Sequence, residues 1–324
     1  MSVAAALAIG DYDHVRDLAE GRVRAEGLDV TCLRMPPEEI FARTASGCEW
    51  EAGEFSFALY VDRIGRGDRS LSAIPVFPSR VFRHGSFYVR EDGPTALEEL
   101  AGTRVGVPEW CQTAGVWARG ILAEHHGVEL ASIAWVQGGV NDPGRSEKGR
   151  PDLPAGIELT VERDRSLDQL LRAGEIDAII SARPPLGLAD GSVRRLLADS
   201  RAAEQRYWEQ TGVFPIMHLV VLRDDFLAAA PWAAASLYAA LDEARSRCAA
   251  RLLDATASHA PLPWVSDLAA AARERFGGDL WPYGVDANRV TLETFLTYAK
   301  SQGVAPSHLT LDDLFPFDLS PAAV

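Results

Sequence analysis

The sequence predicts an α/β protein with two lobes and a ligand cleft between them. Three observations lead there. Strand-like and helix-like segments alternate in two successive sets, the sign of βα units and a largely parallel sheet. The length, 324 residues with 47% of them hydrophobic, exceeds one typical compact domain and can supply two cores. After the second set, a strong strand, "VFPIMHLVVLRDDF", leads into a mostly helical C-terminal region.

The elements follow in order. "VAAALAIG" is the first strand and breaks at Gly10-Asp11-Tyr12-Asp13, where a short helix can start. "GLDVTCLR" is a second strand. "PPEEIFARTAS" is a helix with proline at its start and acids in its first turn. "FSFALYVDRIGRG" reads as a short strand running straight into a helix, and "LSAIPVF" and "SFYVRED" as two more strands. The second set begins near Pro94. "TALEELAG" is a short helix, "TRVGV" a strand, "PEWCQTAG" a turn, "VWARGILAEHHG" a helix closed by Gly127, and "IAWVQGG" another strand. Residues 141–156, rich in Pro, Gly and charge, read as a mobile surface loop. "SLDQLLRAGEIDAIISARPP" gives helix, turn, buried strand and a proline stop. Beyond Pro231 three helical segments follow. The expected division is 1–90 with 213–324 for lobe I and 91–212 for lobe II, with crossovers near 89–92 and 211–215.

Charge and composition narrow the function. A net charge of -14 argues against nucleic acid, whose phosphates need a basic footprint. It also means that any anion site must be a local cluster of cations and backbone N–H groups. The four cysteines, Cys32, Cys48, Cys111 and Cys248, form no CxxC pair, which favours a reducing compartment and disfavours a zinc site. The opening "MSVAAALAIGDYDH" lacks a positive n-region and a cleavage site, so it reads as a strand and not as a signal peptide. No window approaches the ~18 apolar residues of a membrane span. The expectation is a cytoplasmic protein with no nucleic-acid or membrane partner, its assembly into a homo-oligomer left open. HExxH, P-loop, GxSxG and dinucleotide patterns are absent, so no cofactor and no metal are expected. The one metal set that folding could assemble is His84, His218 and an acid.

In open α/β sheets, ligands bind beyond the carboxyl ends of the strands. That rule selects the segments Gly10–Asp13, Ser56–Tyr60, Pro78–His84, Glu109–Gly115, Ser181–Pro185 and Phe214–His218. One of them sits in "IPVFPSRVFRHGSFYVR", where Arg80, Arg83 and His84 interrupt an apolar run. Cations in such a setting need a partner, either another residue or a ligand.

The segments "GDYDHVRDLAEGRV", "PPEEIFAR", "GRGDRSLSAIPVFPSRVFRHGSFYVR", "RVGVPEW" with "TAGVWARGIL", "TGVFPIMHLVV" and "GDLWPYGVDANRVTLETFLTYAKSQG" together resemble the 4,5-dihydroxyphthalate decarboxylase family. The resemblance runs nearly end to end and in order. It implies a type II periplasmic-binding-protein-like fold: two α/β lobes joined by two crossovers, with mixed, mostly parallel sheets. It further implies non-oxidative decarboxylation of a phthalate-like aromatic dicarboxylate, 4,5-dihydroxyphthalate to protocatechuate and CO2. The chain departs from the family pattern at Trp110-Cys111-Gln112, where a Tyr-Gln-Met-like tripeptide is expected, and in "SARPPLGLADGS". Both lie in cleft loops, where substrate identity is set.

That chemistry has three requirements. Electrons leaving with direct loss of CO2 would sit in an sp² orbital that the ring cannot delocalise, so the carbon must be protonated first. A hydroxyl para to the carboxylate makes this feasible. Cations for a dianion, a general acid near the ring carbon and an acceptor for the phenol proton are then needed. Arg80 and Arg83, with bidentate guanidinium forks, are expected to bind a carboxylate, and Arg183 to clamp from the other lobe. His218 and His84 compete for the role of acid, and Glu109 is a further acid or base. Asp11 and Tyr12 are placed to accept the phenol proton, and Ser56 and Thr113, near helix starts, to cradle a carboxylate. Each has a plainer reading as a cap, an ion-pair member or a core residue. His125 and His126 end a helix and read as structural, and His14, His259 and His308 as surface or capping residues. Two other readings compete: a solute-binding or sensor protein of the same fold without chemistry, and a lyase or hydrolase acting on a different aromatic acid.

Overall fold

The computed structural model describes residues 2–317 and 319. The chain runs β1 (Val3–Ile9), α1 (Arg16–Ala19), β2 (Leu28–Arg34), α2 (Pro37–Gly47), β3 (Ala52–Ser56), α3 (Phe57–Gly65) and β4 (Leu71–Arg80). It continues through β5 (Phe87–Arg90), β6 (Arg104–Val107), α4 (Thr113–His126), β7 (Ala134–Gln137), β8 (Glu158–Val161), α5 (Leu167–Arg172), β9 (Ala178–Ile180), α6 (Gly187–Asp190), β10 (Val193–Arg195) and α7 (Ser200–Thr211). It returns in β11 (Ile216–Arg223) and ends in α8 (Asp224–Ala229), α9 (Ala233–Leu253), α10 (Val265–Arg275), α11 (Arg289–Ser301) and α12 (Leu311–Leu314).

Two mixed sheets result. The first has the order β2-β1-β3-β11-β4, the second β10-β5-β9-β6-β7-β8. Within the first, β1 is parallel to β2 and β3, while the returning β11 inserts antiparallel between β3 and β4. Within the second, β6, β7, β8 and β9 are parallel, β5 runs against β9, and the edge strand β10 pairs antiparallel with β5. The βα order of the sequence accounts for the parallel pairs. The antiparallel ones come from strands that enter a sheet after a crossover, which no local pattern announces.

β5 corrects one sequence expectation. Sequence order puts "SFYVRED" in the first set, but Phe87–Arg90 pairs with β9 and β10 of the second sheet. The first passage between sheets is therefore 81–86, ahead of residue 89, and the second leads through α7 to β11. The sequence reading also lacks β8, β10 and α7. In α7 only Tyr207 is buried, so it shows no apolar period, and β8 is a mostly exposed edge strand. The expected stop of α4 is present: Gly127 adopts φ 65°, a left-handed cap that glycine takes without a Cβ penalty.

Two features of β3 and β11 build the site. All five residues of β3 are buried, Glu54 included. β11 is irregular on both sides of His218, which lies opposite Ser56 of β3 and Ser79 of β4. Such irregularities re-aim a side chain. Among the described residues, no helix is long and apolar enough to cross a membrane.

Candidate active site

A cavity of about 340 Å³ lies between the two sheets, at the small end of the usual range for small-molecule sites. α2 supplies Glu38 and Phe41. The starts of α3 and α4 supply Ser56, Leu59 and Thr113. The 81–86 passage supplies Arg83, β11 supplies Met217 and His218, and loops of the second lobe supply Glu109, Cys111, Arg145, Lys148 and Arg183.

His218 is the centre of its polar chemistry. Its Nδ1 lies 2.6 Å from Glu54 Oε1. A carboxylate only accepts, which places a proton on Nδ1 and leaves Nε2 as the nitrogen available to the cavity. Glu54 is fully buried. Its Oε1 also accepts from the Tyr12 hydroxyl at 2.7 Å, and its Oε2 from the Gly10 N–H at 2.8 Å. Burial alone would raise the Glu54 pKa. The bonds from His218, Tyr12 and Gly10 outweigh it and hold the carboxyl below its ordinary value. The side chain is thus an anion fixed behind the imidazole, which sets the ring's tautomer and orientation. Phe41 packs edge-on against the ring at 4.8 Å.

Cations surround this pair. Arg83 is 9% exposed, and its Nε donates to Met217 Sδ at 3.1 Å. Among the described residues no carboxylate pairs with it, and burial pushes its guanidinium down to about 10, still charged at neutral pH. Arg145 and Lys148 both donate to Oε1 of buried Glu109 at 2.6 Å. Arg183 donates to Glu38 Oε2 at 2.9 Å, across the cavity mouth. Four permanent cations thus face two cavity carboxylates, so the pocket is locally positive in a protein of net charge -14.

The hydroxyls of Ser56 and Thr113 share a 2.9 Å hydrogen bond between the lobes, and Ala58 N–H donates to Thr113 Oγ1 at 3.0 Å. The starts of α3 and α4 therefore converge on one point of the cavity wall, where their positive dipole ends favour an anion.

Several sequence candidates are placed elsewhere. Arg80 ends β4 and turns to the C-terminal segment, donating to Pro282 O at 2.5 Å and Asn288 Oδ1 at 2.6 Å, with aromatic rings around it. It does not line the cavity. His84 follows Arg83 at the start of a short 3-10 turn and does not line the cavity. It is buried 5.1 Å from the Tyr207 ring, and burial pushes it down to about 4. His84 and His218 thus share no pocket, and among the described residues no group of three or more His, Cys, Asp or Glu side chains is placed to hold a metal ion. Asp11 is exposed and bonded to Arg34 at 3.1 Å. Tyr12 reaches Glu54 and not the cavity. His14, expected at the surface, is half-buried and stacks on Tyr12.

Sequence reasoning missed Glu54, Arg145 and Lys148. A lone acid inside the otherwise uncharged strand "AGEFS" was the available signal for the first. The other two belong to the stretch read as a mobile surface loop. It instead lies along the cavity, with Glu147 accepting from the backbone N–H groups of Trp110 and Cys111.

Two sheets joined by two passages, with a cationic cleft between them, define a two-lobed binding-protein architecture. The periplasmic sulfonate-binding protein SsuA of Methylobacillus flagellatus KT shares it, with a TM-score of 0.56 at 12% identity, covering 99% of this chain and 92% of that one. The sequence identifies the lineage. The chain belongs to the 4,5-dihydroxyphthalate decarboxylase family, being 36% identical over 313 residues to the Comamonas testosteroni protein of that name, 95% of each chain. The Pseudomonas putida protein of the same name is 36% identical over 206 residues, 62% of this chain and 80% of that one. The chain is accordingly an enzyme of the carboxy-lyase class. No protein-family model matches it.

Proposed function

We propose that this chain decarboxylates a hydroxylated phthalate-like dianion without oxidation, converting 4,5-dihydroxyphthalate to protocatechuate and CO2. The observation that carries this reading is the pairing, in one cavity, of the carboxylate-free cation Arg83 with the Glu54–His218 couple. The relatives' shared name supplies the substrate.

Arg83 and the Ser56–Thr113 wall hold one carboxylate, and Arg145 and Lys148 the other. His218, charged by a proton from solvent, delivers it from Nε2 to the ring carbon that bears the carboxylate. The para hydroxyl passes its proton to Glu109, whose Oε2 has no hydrogen-bond partner among the described residues. The ring is then a dienone with a tetrahedral carbon. The C–CO2 bond breaks, its electron pair returns to the ring, and the phenolate takes its proton back from Glu109. One proton is consumed and CO2 leaves. Glu54 stays an anion throughout and holds the ring that delivers the proton. A pure binding protein has no use for such a couple. The four free thiols, Cys32, Cys48, Cys111 and Cys248, support a cytoplasmic setting.

The test is incubation with 4,5-dihydroxyphthalate and a panel of hydroxybenzoates, following CO2 and product mass. Arg83→Gln should raise KM at least thirtyfold, since losing a desolvated charge partner costs about 2–5 kcal/mol. If no panel member is decarboxylated, or if Arg83→Gln folds and retains its KM, the reading is wrong.

A further inference from the structure

A second cavity, of about 240 Å³, lies on the hinge side of the molecule, between α7 and α10. Phe82, Trp208 and Phe276 form its apolar wall, and Arg201 and Arg275 stand at its rim. Trp208 and Phe276 pack at 4.5 Å, and Phe82 stacks on Phe214 at 4.8 Å. Phe82 belongs to the first passage between sheets and its stacking partner Phe214 to the second, so one wall residue ties the cavity to both passages.

Three observations suggest a ligand for it. The wall offers aromatic faces, which bind a planar ring at low cost. Arg201 makes no ion pair among the described residues, and Arg275 only a long one, 3.8 Å, to Glu209. Two guanidinium groups face one acid, Glu204, so the rim favours an anion. At about 240 Å³ the cavity has room for a small aromatic ring.

A further observation ties it to the active site. Phe82 and Arg83 are consecutive in the passage between sheets, and Phe82 lines the hinge cavity while Arg83 lines the catalytic one. Glu204 lines the hinge cavity, and its charge acts on Arg83. An occupant pressing on Phe82 or pairing with the rim arginines therefore bears on the cation that faces the substrate.

We infer that the groove between α7 and α10 binds a small aromatic monocarboxylate, and that its occupancy lowers turnover through Phe82 and Arg83. The ring lies against Trp208, Phe82 and Phe276, and the carboxylate pairs with Arg201. Decarboxylation of an aromatic dicarboxylate yields a monocarboxylate of this size and charge, so the site reads product level. The coupling to turnover, unlike the binding, rests on the role proposed for Arg83.

Benzoate is the probe. Titration should change the fluorescence component that Trp208→Phe removes, since no tryptophan lines the catalytic cavity. Arg201→Glu should weaken that response about tenfold, the worth of roughly 1.4 kcal/mol. Ala272→Trp, which fills the groove from α10, should abolish the benzoate response of turnover, and the wild type should show reduced kcat at saturating substrate. The site is disproved if wild type gives no Trp208 response, or if Arg201→Glu and Ala272→Trp leave it unchanged. A fall in particle mass for Ala272→Trp in sedimentation would make the groove a contact between chains and overturn the proposal. Binding without any change in kcat would overturn the coupling alone. The binding result needs no turnover, so it stands or falls separately from the decarboxylase reading.

Discussion

Glu54 is the residue on which the chemistry turns. It is buried, anionic and bonded to His218, Tyr12 and Gly10. Glu54→Gln keeps the shape and removes the anion that accepts from His218 Nδ1. kcat should fall by roughly 10²–10⁴, the usual worth of a general acid, while phthalate binding persists. Wild-type kcat in the Glu54→Gln variant would remove His218 from the mechanism. His218 itself was legible in "FPIMH"; its partner was not, because pairing between β3 and β11 joins residues 164 positions apart. His84 illustrates the opposite outcome. Its place beside two arginines made it a candidate acid, yet its side chain is buried against α7. That burial has a consequence for stability. Burial and the nearby charges of His126, His125 and Arg206 hold His84 down to about 4 in the folded state, against about 6.5 in an unfolded chain. The unfolded state therefore takes up a proton that the folded state refuses. Stability is fully present above about pH 6.5 and is lost as pH falls towards 4. Melting temperature should drop across that window, and less steeply for His84→Leu; equal slopes would show that His84 is not responsible.

At the scale of elements, periodicity revealed β1–β7, β9, β11 and the long helices, because apolar residues recur along one face of each. It failed where burial is slight, in α7 and β8, and it could not assign β5 to its sheet, because that pairing is non-local. The loop before β8 is the most instructive case. Its Pro, Gly and charge content resembles that of a solvated loop, but two of its cations are fixed by buried Glu109. A composition rule cannot see a partner 36 or more positions away. The pairing also sets what removal should do. Lys148 is partly exposed and shares its acceptor with Arg145, so Lys148→Ala should raise KM by about three- to tenfold, near 1 kcal/mol. Glu109→Gln should do more, lowering kcat as well as raising KM, since it frees both cations and removes the proposed proton acceptor. Steady-state kinetics on the two variants separates the roles; equal effects would argue against any role for Glu109 beyond holding cations.

The whole molecule must bring a dianion into a chain of net charge -14, and the two lobes must then hold it. The contacts that join them differ in worth. Arg183 and Glu38 form an ion pair across the mouth, but they are 61% and 55% exposed. Exposed pairs contribute about 0–1 kcal/mol and weaken with salt. The Ser56–Thr113 contact is buried, and Thr113 Oγ1 also accepts from Ala58 N–H. Removing that hydroxyl leaves a buried donor unpaired, at about 1–3 kcal/mol. The buried contact should therefore govern closure, and the visible salt bridge should not. Phthalate should reduce the radius of gyration of the wild type in small-angle scattering, as the lobes close around it. Thr113→Val should blunt that contraction and raise KM by roughly five- to a hundredfold, in line with that energy. Glu38→Gln should contract like the wild type, with KM changed by about fivefold or less. If Glu38→Gln is the variant that stays open, or if neither the wild type nor either variant contracts at saturation, the lobes are not latched through the starts of α3 and α4.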